Sequence, residues 1–153
     1  MLSISSVLTT AISSGQSDMR LHHTGIIVED FVRGAKVLTG VMGCRPTTAI
    51  IEDPGQRVAV QFFVDNLGNC FELIVPLAHD SPVSLLLFQK RNLLNHVAFK
   101  VPDFPQAVET LRIQGCMPVG PAAPATAFGG NQIQFFLTPL SIVLELIESR
   151  ESS

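Results

Sequence analysis

Two stretches of the chain share one pattern of apolar and polar positions. Leu21–Val28 (LHHTGIIV) and Leu94–Val101 (LNHVAFKV) are both β-rich runs that carry a histidine near their start. Each is followed by an aspartate, Asp30 or Asp103, suited to the N-cap of a helix. In the second stretch Phe104, Val108 and Leu111 then recur at spacings of four and three, the mark of a helix with one buried face. Gly43 and Gly115 stand where a glycine ends such helices. Further β-rich runs follow at Arg57–Val64 and Cys70–Val75, and at Gln132–Leu137 and Ile142–Ile147. Short strands are expected near Thr47–Ile51 and near Pro118.

The two stretches superpose at an offset of 73 residues. His23 falls on His96, Asp30 on Asp103, Gln61-Phe62-Phe63 on Gln134-Phe135-Phe136, and Glu72-Leu73-Ile74 on Glu145-Leu146-Ile147. Many matches at one offset and in one order argue for an internal duplication. The expected fold class is therefore α+β: two tandem βαβββ modules forming a curved mixed sheet around a metal cleft. The first module spans 21–76 and the second 94–149. Residues 77–93 form a linker with a short helix across Pro82–Lys90, and 1–20, rich in Ser and Thr, read as a flexible tail. Pro118–Asn131 (PVGPAAPATAFGGN) is too irregular for core and reads as a lid over a site.

Composition narrows the function. A formal net charge of -3 over 153 residues gives no basic surface for nucleic acid or for an anionic membrane. No apolar run reaches a membrane-spanning length. No Lys or Arg precedes Arg20, so a secretory or transit leader is poorly supported. The three cysteines, Cys44, Cys70 and Cys116, form no CxxC pair and read as free thiols, which suits a cytoplasmic protein. Ten Phe with no Tyr and no Trp place the aromatic mass in packing rather than in phenolic chemistry.

The duplication picks out four residues. In each module the histidine (His23, His96) lies on the first strand, and the glutamate (Glu72, Glu145) lies 49 residues later on the last. Each glutamate interrupts a Phe/Leu-Glu-Leu-Ile run, where an unpaired carboxylate would be costly. If the modules pack as related halves, these four converge as ligands of one divalent cation: Co, Zn, Ni, Mn or Fe. Four protein ligands leave an octahedral ion two positions for water or substrate. His22 aligns with Asn95 and, on an alternating strand, is expected to face away from His23 in a structural role. His79 is expected to be solvated in the linker. Gln61 and Gln134 either line the cleft or pair across strands.

At these residues the sequence resembles the vicinal oxygen chelate superfamily, and within it most resembles the methylmalonyl-CoA epimerases. The resemblance covers roughly residues 21–148. It rests on Leu21–Val28, Phe71-Glu-Leu-Ile-Val-Pro-Leu77 with Asp80-Ser-Pro82, Leu94–Phe99, Gly129–Phe135 and Val143–Ile147. It implies metal-dependent α-proton abstraction from an acyl-CoA such as methylmalonyl-CoA, with Glu145 as first candidate base and Glu72 as second. It also admits a glyoxalase-I-type lyase or a non-enzymatic module that binds a small molecule, and it leaves a homodimer open. Within it the sequence departs at Asn95, which precedes His96 in place of a second histidine, and at Gln61, the polar residue of the third strand.

Overall fold

The structure, a computed structural model, describes residues 18–150. Most of the proposed 1–20 tail and the last three residues lie outside the described residues. In chain order the elements are β1 (Arg20–Ile27), α1 (Phe31–Gly40), β2 (Arg45–Pro46), β3 (Ile51–Asp53), β4 (Val58–Val64) and β5 (Cys70–Pro76). There follow α2 (Ser84–Gln89), β6 (Leu94–Val101), α3 (Phe104–Ile113), β7 (Met117–Pro118), β8 (Ala123–Pro124), a 3-10 turn (Thr126–Phe128), β9 (Gln132–Leu137) and β10 (Val143–Glu148).

Among the described residues all ten strands join one mixed sheet, ordered β2-β4-β5-β1-β6-β10-β9-β7, with β3 paired to β4 and β8 to β9. The order reads the same from either end. β1 runs parallel to β5 and β6 parallel to β10, while β1 and β6 pair antiparallel at the centre. The architecture is α+β with a curved open sheet, as the repeated β-α-β-β-β pattern implied.

Alternation along the strands sorts residues between two faces. One face is covered by helices. α1 sets Phe31, Ala35 and Leu38 on Phe63, Phe71 and Leu73; α3 sets Phe104, Ala107 and Leu111 on Val101, Phe136, Leu144 and Leu146. The caps are as the aspartates suggested: Arg33 N donates to Asp30 Oδ1 at 2.7 Å and Gln106 N to Asp103 Oδ1 at 3.1 Å. Gly43 and Gly115 take positive φ (67° and 85°) just beyond the helices. The other face lines the inside of the curve with Ile27, Val60, Phe62 and Ile74 in one half and Ala98, Ala125, Ile133 and Ile147 in the other.

Two local expectations are corrected. The strand expected at Thr47–Ile51 does not form there: β2 ends at Pro46 and β3 begins only at Ile51. Between them the side chains of Thr48 and Gln61 take over from the ladder: Thr48 Oγ1 accepts from Phe62 N (3.1 Å), and Gln61 Nε2 donates to Thr48 O (3.1 Å). The Pro118–Asn131 loop is also more ordered than its composition suggests. It carries β8 and the 3-10 turn, and Ala125 is buried in the core. Cys44 and Cys116 are buried and Cys70 half-buried; all three are free thiols. No helix among the described residues is long and apolar enough to cross a membrane.

Phe63 and Phe136 are equivalent under the 73-residue offset, and both are essentially fully buried beneath their helices. Replacing either with alanine is expected to lower stability by about 3–5 kcal/mol, read from denaturant unfolding. A cost under about 1 kcal/mol for one of them would mean that the two helix-covered cores are not equivalent.

Candidate metal centre

The central strand pair sets the site. β1 and β6 antiparallel place His23 opposite Ala98 and Gly25 opposite His96, so each histidine lies across from a small residue. At Gly25 this is a steric requirement. A Cβ there would collide with His96 Cε1 and come within 2.6 Å of both ring nitrogens. β5 and β10, the outer neighbours of the pair, bring Glu72 and Glu145 onto the same face.

All four side chains meet. His23 Nε2 lies 3.0 Å from Glu72 Oε2 and 3.2 Å from Glu145 Oε2, and His96 Nε2 lies 3.4 and 3.0 Å from the same atoms. The two Nε2 atoms are 3.1 Å apart. No ligand atom of the four is more than 4.8 Å from another. Exposure is 2% for His23, 6% for Glu72, 4% for His96 and 3% for Glu145, so water does not compensate these charges.

The donor set fits a divalent cation. Two ligands at a right angle, each about 2.1 Å from a common ion, stand about 3 Å apart, close to the spacings found here. Two carboxylates and two neutral imidazoles carry a charge that a divalent cation cancels. Glu145 Oε2 is buried and has no hydrogen-bond partner, although ring nitrogens stand close to it. Without an ion the histidines take up protons instead. Burial pushes the His96 imidazole down, but its contacts with Glu145 and Glu72 outweigh this and raise it to about 9. His23 is raised for the same reasons. Glu72 is driven up by burial and more strongly down by the two histidines, ending well below the usual carboxylate range.

His22 is not where alternation would put it. Between Leu21 and His23 the register of β1 slips by one residue, a β-bulge, so His22 turns to the same side as His23. The two Nδ1 atoms are 2.8 Å apart, and the His22 ring also packs edge-on to Phe62 and Phe128. Burial, then the neighbouring His23, lowers its pKa to about 4. The expectation that it faces away is therefore overturned; strict period-two alternation does not survive a bulge.

The Pro118–Asn131 loop crosses this face. Thr126 N donates to Asp53 Oδ2 (2.8 Å), and Gln56 N donates to Asp53 Oδ1 (3.1 Å), so one buried carboxylate ties the turn to β3. This holds Phe128 near-parallel to the His23 ring, 6.0 Å between centroids. A cavity of about 500 Å³ opens beside it onto Glu72, His96 and Glu145, with walls that include Val58, Val60, Ile74, Val83 and Phe135. Gln61 and Gln134 stay out of it. Each donates to a loop carbonyl, Thr48 O and Gly120 O respectively. His79 lies in the exposed linker. Gly25, Asp53 and Phe128 escaped sequence reasoning; for Gly25 the signal was a small residue at the position matching Ala98 in the repeat.

The sequence pattern of the Glyoxalase/Bleomycin resistance protein/Dioxygenase superfamily matches residues 22–135. The chain belongs to this superfamily, whose fold the mixed sheet and three helices reproduce. Similar solved structures include a hypothetical protein from Bacillus halodurans (TM-score 0.74, 23% identity, covering 89% of this chain and 98% of that one). A methylmalonyl-CoA epimerase from Mycobacterium tuberculosis is also similar (TM-score 0.69, 22% identity, 86% and 88% covered). So is a Streptomyces coelicolor methylmalonyl-CoA epimerase in complex with 2-nitronate-propionyl-CoA (TM-score 0.71, 21% identity, 88% and 98% covered). A comparison with curated protein sequences gives no significant match.

Two outcomes test the centre. Gly25→Ala is expected to displace the His96 ring and weaken cobalt(II) binding at least about tenfold, since one of four ligands is pushed off position. Because His96 holds a proton up to about pH 9 without metal, cation and proton compete for it. Cobalt affinity should therefore rise from pH 6 to pH 9, with protons released on binding at pH 7. Calorimetric titration in buffers of different ionisation enthalpy checks this; a flat profile would place the cation elsewhere.

Proposed function

We propose that this chain is a divalent-metal-dependent isomerase or epimerase that moves the α-proton of an acyl thioester, of which methylmalonyl-CoA is the model substrate. The observation that carries the reading is the pairing of two buried carboxylates with two imidazoles at the floor of a largely apolar cavity. His23, Glu72, His96 and Glu145 would hold the cation, one His and one Glu from each of the modules 21–76 and 94–149. When bound, the cation supplies Lewis-acid polarisation of a carbonyl and so lowers the cost of negative charge on its oxygen.

The protein's own groups do the rest. Glu145 is the first candidate base: it is a buried carboxylate that lines the cavity, with Oε2 3.0 Å from His96 Nε2. Glu72 comes from the opposite flank of the histidine pair, on β5 rather than β10. Inversion at the α-carbon needs a second group to return the proton, and Glu72 is the candidate for that step. Phe128, Phe62 and the apolar walls exclude water, which strengthens every charge interaction at the reacting carbon. The likeness in sequence of Phe71–Leu77 and Asp80–Pro82 to epimerases supports this branch of the superfamily.

Glu145→Gln keeps the shape and a ligand oxygen while removing the base. It is expected to retain cobalt and to slow α-proton exchange into methylmalonyl-CoA in D2O by about 10²–10⁴-fold, followed by NMR. Exchange at the parent rate would assign the base elsewhere. A parent enzyme inert toward every acyl thioester, yet converting a glutathione hemithioacetal, would establish the glyoxalase-type lyase in its place. Binding without turnover of either would leave the non-enzymatic module.

A further inference from the structure

The slip in β1 has a counterpart. In the β1–β6 ladder the extra residue on β1 is His22, and the extra residue on β6 is Asn95, between Leu94 and His96. The two are equivalent under the 73-residue offset. Each bulge turns the residue before a ligand histidine back onto that histidine. His22 Nδ1 stands 2.8 Å from His23 Nδ1, and Asn95 Oδ1 stands 3.0 Å from His96 Nδ1. The two contacts use different chemistry at the same position.

In a neutral imidazole only one nitrogen carries the proton. For Nε2 to offer its lone pair to a cation, the proton must sit on Nδ1, and a proton there needs an acceptor in a buried site. Asn95 Oδ1 is such an acceptor, and so is a neutral His22 through Nδ1. We propose that His22 and Asn95 are a matched pair of positioning residues, each holding its neighbouring histidine in the tautomer and ring orientation that turn Nε2 toward the cluster. This rests on the metal-binding reading of the four-residue centre.

The test is cobalt(II) affinity, measured by competition with a chromophoric chelator on protein of intact circular dichroism. His22→Phe keeps an aromatic ring against Phe62 and Phe128 but removes the acceptor, and it should weaken binding about 10–100-fold. His22→Asn copies the other half of the molecule and should restore affinity to within a few-fold of the parent. Asn95→Leu should lose affinity like His22→Phe, and Asn95→Asp, which still accepts, should not. A purely packing role predicts the reverse at position 22, with His22→Phe tolerated and His22→Asn impaired; that result, or parental affinity in both His22→Phe and Asn95→Leu, overturns the proposal. If His22→Phe does not fold, the Asn95 pair decides alone. A parent protein that takes up no cobalt overturns the metal reading itself, and the proposal with it.

Discussion

The antiparallel pairing of β1 with β6 is the constraint from which the rest of the molecule follows. Among the described residues it is the only ladder joining the two halves, and its register sets His23 and His96 two residues apart along the pair. Opposite His96 there must be no side chain, which Gly25 provides, and Ala98 stands opposite His23. The two bulges sit in the same ladder. Bringing two imidazole Nε2 atoms to 3.1 Å is thus a property of strand pairing, with loops contributing only the cover.

Burying two carboxylates and two imidazoles is unfavourable unless their charges cancel. The protein meets this from both sides. The histidines can carry protons that match the carboxylates, or give way to a cation that does the same. The aromatic rings of Phe62, Phe128 and Phe135 around the histidines keep the dielectric low, so whichever positive charge is present is held tightly. Asp53 plays a quieter part. By accepting from Thr126 N it locks the turn that carries Phe128, joining a strand of one half to a loop of the other across the cleft.

Much of this was legible because the duplication writes each structural demand twice. The recurrence of His and Glu at one offset singled out four residues that the structure does bring together, and the recurrence of Asp before each helix marked both caps. Periodicity located Leu94–Val101 and Gln132–Leu137 to the residue. Where it failed, the backbone had left ideal geometry. The strand expected at Thr47–Ile51 gave way to irregular chain tied to β4 by Thr48 and Gln61, and His22 turned inward at a bulge. A bulge leaves no periodic trace, since its effect is to interrupt the period.

Sequence alone therefore determined the order and kind of the main strands and helices, the duplication, and which side chains could make a metal centre, because propensity, capping and repetition act through residue type and spacing. Only tertiary structure decided how those side chains stand. That Gly25 makes room for His96, that His22 and Asn95 turn back onto the ligand histidines, and that Phe128 reaches across to His23 depend on ladder register and on contacts between segments distant in the chain. Such contacts form only when both partners are folded, and no local pattern in either partner encodes the other.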